Sequence, residues 1–182
     1  CDNLVNISIP NNVTKIGDYA FDGCTSLTDM TIPDSVTEIG RYAFSNCASL
    51  ASVTIGNSVT FIGYEAFENC SNLENVYIFD LEAWCNIEFE SSANPLSNGA
   101  NLYLNGNLVK DLVIPDSVSE IRGAFSGCSS LESVTISDGV TEIGNSAFYG
   151  CTNLTSITIP DSVTNINAYA FSGCSSLTSI TI

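Results

Sequence analysis

Eight cysteines and 20 acidic side chains are the residues of this 182-residue chain best able to do chemistry. Seven of the cysteines share one register: Cys1, Cys24, Cys47 and Cys70 stand 23 residues apart, and Cys128, Cys151 and Cys174 resume the interval. Thiols stacked in this way would be metal ligands or disulfide partners. Yet no C-x-x-C pair of the zinc type occurs, and a column of seven cannot pair completely even where neighbours approach bonding distance. A buried thiol also fills a core as a small apolar group. The column therefore reads as packing, with free thiols expected throughout. Histidine is absent, which removes Ser-His and Cys-His activation of a nucleophile and the commonest metal ligand together.

The carboxylates give no clearer site. Asp34, Asp116, Asp138 and Asp161 recur once per unit beside turn residues. One carboxylate per unit is too few for a calcium ion that takes six to eight oxygens, whereas Asp next to Pro or Ser is ordinary turn chemistry. Glu88 and Glu90 fall on one face if "IEFE" is extended, but glycoside cleavage would need them about 5 to 9.5 Å apart around a sugar-sized cleft, and the sequence carries no further mark of one. Lys15 and Lys110 lie in different units and in no recognisable motif. No catalytic, cofactor-binding or metal-binding residue is assigned, and neither an enzyme nor a cofactor is expected.

Four basic residues against 20 acidic ones give a formal charge of -16. Such a chain repels phosphate backbones and anionic membrane surfaces, so nucleic acid is a poor partner. The apolar runs are far shorter than the roughly 18 residues needed to span a bilayer, and no membrane insertion of this segment is expected.

The elements that must position these residues follow from the repetition. "SVTEIGRYAFSNCASL" (35–50) returns nearly unchanged at 58–73 and 139–154. In each unit a leucine (Leu4, Leu27, Leu50, Leu73, Leu131, Leu154, Leu177) opens an alternating, β-branched strand, as in "LTSITIP". A Pro-Asp-Ser turn, a second short extended piece such as "VTEI", and an Ala-Phe-x-x-Cys stretch with the spacing of one helical turn complete the 23 residues. Such a coil buries its inward side chains only against the coils on either side. The spacing predicts a solenoid of about seven to eight units over residues 1–182, mainly β, with a parallel sheet on one side and short strands and helical turns on the other. The chain starts and ends inside a repeat, so a part of a longer protein is expected, with end-to-end self-association through uncapped coils.

The pattern "LTDMTIPDSVTEIGRYAFSNC" (27–47) resembles the BspA-like branch of leucine-rich repeats, which occurs in surface proteins of anaerobic bacteria and of some protozoan parasites. The resemblance implies a right-handed leucine-rich-repeat solenoid, an extracellular or cell-surface setting, and adhesion to a protein of the matrix or of a host or neighbouring cell.

The register breaks once, between Leu73 and Leu131. We divide this stretch into a long unit, 73–108, and a short unit, 109–130, which lacks one residue in "EIRGAF". In the long unit Asp80 is a candidate cap for a helix through Trp84 and Cys85, and Asn105-Gly106 between alternating apolar residues predicts a hairpin. Trp84, the sole tryptophan, is either a partner anchor or part of a local plug with Leu81, Ile87 and Phe89. Tyr103 is either a binding residue or filler on the hairpin face.

Outward positions of the main strands read Ser8, Thr31, Thr54, Tyr77, Val113, Thr135, Thr158 and Thr181, a Ser/Thr ladder interrupted at Tyr77 and Val113. The candidate partner-binding set is accordingly Thr31, Thr54, Tyr77, Trp84, Tyr103, Thr135 and Thr158. Two functions fit: a non-catalytic protein-binding or adhesion module using this face, or a structural spacer whose uniform surface holds other domains away from the cell.

Overall fold

The computed structural model describes residues 1–181. Each coil contributes one strand to a front column and, after the Pro-type turn, a two-residue strand to a side column. The front strands are Asp29–Thr31, Ser52–Thr54, Asn75–Ile78 and Asn101–Leu104, then Asp111–Ile114, Ser133–Ile136, Ser156–Thr158 and Ser179–Thr181. Within each set of four they pair in parallel, mostly at the repeat interval, so Met30 faces Val53 and Val53 faces Val76, all buried; the two sets form separate sheets, divided between Asn101–Leu104 and Asp111–Ile114. The side strands, from Lys15–Ile16 to Asn165–Ile166, stack the same way, with Ile16, Ile39 and Ile62 buried in line. The result is a mainly-β parallel solenoid with one continuous apolar cluster along its axis. Inward residues of interior coils are sealed, whereas Ile7 and Ile180 in the first and last coils are 37% and 50% exposed.

The Ala-Phe-x-x-Cys stretch closes each coil, although not as the helical turn its spacing predicts at Ala43–Cys47. Tyr42 and Asn46 hold φ of 53° and 57°, and two left-handed residues so close together break an α-helical run. The backbone N–H groups of Tyr42, Phe44 and Asn46 instead donate to Tyr64, Ala66 and Glu68 of the next coil at 2.8–3.0 Å. This between-coil bonding stacks the phenylalanines face to face. Phe21, Phe44 and Phe67, and separately Phe125, Phe148 and Phe171, have centroids 5.2–5.6 Å apart.

The cysteines do more than fill space. The thiols of Cys47, Cys70, Cys151 and Cys174 donate to the phenylalanine carbonyl of the preceding coil (Phe21, Phe44, Phe125 and Phe148) at 3.1–3.2 Å. Each of these carbonyls also accepts from the backbone N–H of the cysteine three residues on in its own coil, at 3.0–3.3 Å, so the weak S–H donor fills a second acceptor position and ties one coil to the next. Cys128 follows the break, where the phenylalanine column is interrupted, and its sulfur lies 3.4 Å from the Ser130 hydroxyl instead.

In the long unit Asp80 caps the helix Leu81–Cys85, accepting from the Ala83 N–H at 3.0 Å, as the sequence predicts. The hairpin also forms where expected: Asn101–Leu104 pairs antiparallel with Asn107–Leu108, and Asn105 and Gly106 both have positive φ, 52° and 79°. The first hairpin strand takes the place of a coil strand, Val76 facing Leu102 and Tyr77 facing Tyr103 after a step of 26 residues. Alternation survives because the extra three residues lie in the connection, and the buried face stays buried.

Candidate functional site

The front column presents the candidate residues in order. Thr31, Thr135 and Thr158 are exposed, while Thr54, Tyr77 and Tyr103 are half-buried. Register sets Thr54 beside Tyr77 and Tyr77 beside Tyr103, and Thr135 between Val113 and Thr158. The structure thus adds Tyr103 to a ladder that the sequence reading runs directly from Tyr77 to Val113. The two tyrosine rings lie 4.9 Å apart with planes 31° from parallel. Aromatic pairs at that separation gain about 0.5 to 1.5 kcal/mol beyond burial, so each ring holds the other against the sheet.

Exposed apolar side chains occur on these strands: Leu108, 39% exposed, faces Tyr103 across the hairpin, Phe79, 53%, follows the Asn75–Ile78 strand, and Val113, 61%, lies beside Thr135 in the second front sheet. Flanking polar residues are held in place, as where the Ser52 hydroxyl donates to Asp29 at 2.6 Å.

Trp84 does not belong to this surface, contrary to the expectation that it meets a partner. Its side chain is 1% exposed, its indole N–H donates to the Ala124 carbonyl at 2.9 Å, and its ring meets Phe89 edge-on at 5.3 Å. Of the two readings of this tryptophan, the plug is the one observed: Cys85 and Ile87 are also buried, and Leu81 and Phe89 pack partly buried against the core. The plug meets an unexpected demand. Ala93 holds the repeat's alanine position, but Asn94 stands where the phenylalanine belongs, interrupting the ring column. Asn94, 5% exposed, donates to the carbonyls of Gly123 and Ala124 at 2.7 and 3.0 Å and accepts from the Leu96 N–H. Trp84 and Asn94 together tie the long unit to the short turn Gly123–Phe125. The Asn94 link was readable in principle from the alignment of "SANP" with the Ala-Phe columns; the destination of Trp84 had no sequence signal.

The residues considered for chemistry are committed to structure. The carboxylate of Glu90 takes a two-pronged bond from Arg41 at 2.9 and 3.1 Å and another from the Tyr64 N–H at 2.7 Å. These donors hold its pKa below the usual carboxylate range. It is an anchored anion and not half of a catalytic pair with the exposed Glu88. Tyr64 bonds the Glu65 carboxylate, which pushes its hydroxyl up to about 12 and lowers Glu65. Burial pushes the thiols of Cys70 and Cys85 up to about 12, far from the thiolate a nucleophile needs. Among the described residues no three His, Cys, Asp or Glu side chains are grouped to hold a metal ion, and no helix is long and apolar enough to cross a membrane.

A family model described as BspA type leucine rich repeat region, in six copies, matches residues 1–95 and 97–182. Among solved structures the chain is similar to a leucine-rich repeat protein of T. pallidum, at 28% identity over 93% of this chain and 63% of that one, with a TM-score of 0.46. It is similar also to a leucine-rich repeat protein of Bacteroides ovatus, at 27% identity over 94% and 59% of the two chains, TM-score 0.43. A third is the pneumococcal vaccine antigen PcpA, at 22% identity over 92% and 53%, TM-score 0.48. The chain spans less than two thirds of the length of each. No curated protein matches it.

Proposed function

From the premise that the chain belongs to the BspA-type leucine-rich-repeat family, we propose that it is a non-catalytic protein-binding module of a cell-surface or secreted protein. Its partner, a protein of the extracellular matrix or of a host or neighbouring cell, seats on the front sheet face around Tyr77 and Tyr103, with Thr31, Thr54, Thr135 and Thr158 as the flanks. One observation carries the reading: the register that stacks Tyr77 on Tyr103, with the exposed Leu108 facing Tyr103 across the hairpin and the exposed Phe79 two residues after Tyr77. Rigid aromatics with little rotamer freedom to lose are the side chains that most often dominate binding energy.

The test is capture of solubilised matrix and cell-surface proteins by the chain, beside a Tyr77→Ala/Tyr103→Ala variant. Hot-spot truncation removes about 2 kcal/mol or more, so capture falls by at least roughly thirtyfold while the fold, followed by far-UV circular dichroism, persists. Undiminished capture by the variant removes the site from this face. If nothing is captured above a control chain, the spacer reading replaces it, supported then by the uniform Ser/Thr surface on either side.

A further inference from the structure

The corner side of the solenoid carries a feature that the proposed protein contact does not use. Each regular coil has two left-handed residues, the first of them (Tyr19, Tyr42, Glu65, Ser146 and Tyr169, φ 52–60°) just before the repeat's alanine, and the long unit keeps that first one at Ser92 (φ 55°). The short unit lacks that residue: Arg122-Gly123-Ala124 stands where Gly144-Asn145-Ser146-Ala147 stands one coil later. Just before it, at Asn94, the long unit leaves the repeat path for the turn Pro95–Asn98. A shortened coil between a diverted one and a regular one leaves a recess, and an open cavity of about 750 Å³ lies there, within the size range of small-ligand sites.

We propose that this recess is a binding groove for a neutral oligosaccharide. Three observations select that class. First, although the chain carries a charge of -16, the lining has one ionisable carboxylate, Glu90, and Arg41 already neutralises it. The groove favours neither a cationic nor an anionic ligand. Second, the lining includes Ser91, Ser92, Ser97, Ser126 and Ser146, whose short hydroxyls both donate and accept, as the hydroxyls of a sugar require. Third, Tyr149 and Tyr169, 48% and 70% exposed, stand on one bank. A tyrosine combines an apolar face with a wet hydroxyl, which matches the apolar face and polar rim of a pyranose ring.

An extended peptide fits less well. Strand addition needs a free backbone edge, and the N–H of Gly127, in the lining, is bonded to Tyr149 of the next coil. The Gly123 carbonyl is taken by Asn94.

Titration calorimetry of the intact chain with maltohexaose, cellohexaose and chitohexaose, and with hexagalacturonate as the anionic comparison, tests the proposal. At least one neutral hexasaccharide binds, hexagalacturonate does not, and Tyr149→Ala/Tyr169→Ala weakens binding by roughly tenfold or more. Both tyrosines are exposed, so that variant keeps the wild-type melting curve. The Tyr77→Ala/Tyr103→Ala variant binds the sugar like wild type, which separates this site from the protein contact. The proposal is overturned if no neutral hexasaccharide binds up to about 10 mM, beyond the millimolar range of weak association, or if binding survives in the Tyr149/Tyr169 variant. It is equally overturned if gelatin peptides, in place of sugars, are what that variant fails to bind.

Discussion

Truncating Trp84 tests whether the tryptophan is the plug that joins the long and short units. The side chain is 1% exposed and contacts both Phe89 and the Ala124 carbonyl. Replacing a buried tryptophan with alanine costs about 3 to 5 kcal/mol in transfer and cavity terms. The indole bond is the smaller part, about 1 kcal/mol, since Ala124 still accepts from Asn94; Trp84→Phe, which keeps most of the ring, loses about that much. For a chain of this length each kcal/mol moves the melting temperature by roughly 2 to 4 °C, so Trp84→Ala lowers it by roughly 6 to 20 °C and Trp84→Phe by only a few. In a repeat array each coil stabilises only its neighbours, so the loss concentrates at 80–125 and limited proteolysis cuts there first. Circular dichroism melting and proteolytic mapping read both effects. A Trp84→Ala variant that melts within about 2 °C of wild type, or that keeps its stability while losing partner capture, would refute the reasoning.

Two further predictions concern the stack itself. A Cβ at Gly40 would sit 2.6 Å from the Asp18 nitrogen and 2.7 Å from the Gly17 carbonyl carbon, whereas one at Gly123 meets only the Asn145 oxygen at 3.7 Å. Gly40→Ala therefore destabilises by about 1 to 3 kcal/mol, as overpacking does, and Gly123→Ala leaves the urea midpoint nearly unchanged; equal effects would contradict the coil spacing. In the folded chain a thiol reagent modifies exposed Cys1 and partly exposed Cys174 first, while buried Cys24, Cys47, Cys70, Cys85, Cys128 and Cys151 wait for unfolding. With Cys70 and Cys85 pushed up to about 12, raising the pH to about 9 does not speed their reaction. All eight cysteines react in the unfolded, unreduced chain; a lower count would reveal disulfides.

The architecture was legible because period carries it. Leucine, the alternating aliphatics and the cysteine column recur at an interval that only stacked coils satisfy, and Asp80 and Asn105-Gly106 are local signals whose partners lie within three residues. What escaped was set by the break. Tyr103 pairs with Tyr77 only because the connection absorbs three extra residues, a step visible in the register and not in the spacing of leucines. Trp84 could be read from the sequence as an anchor or as a plug; it is buried where a coil whose phenylalanine is replaced by Asn94 abuts one that is a residue short. The cysteines read as filler, and their bonds to the phenylalanine carbonyls depend on a stacking geometry that composition does not reveal.

The central claim is that the partner covers the front face at the tyrosine pair. Hydroxyl-radical footprinting of the chain, alone and in complex with the protein it captures, addresses it directly. The account predicts that Tyr77, Tyr103 and Val113 lose reactivity in the complex while Tyr19, Tyr149 and Tyr169 on the corner side keep theirs. Protection confined to the corner tyrosines, with Tyr77 and Tyr103 as reactive as in the free chain, would contradict it.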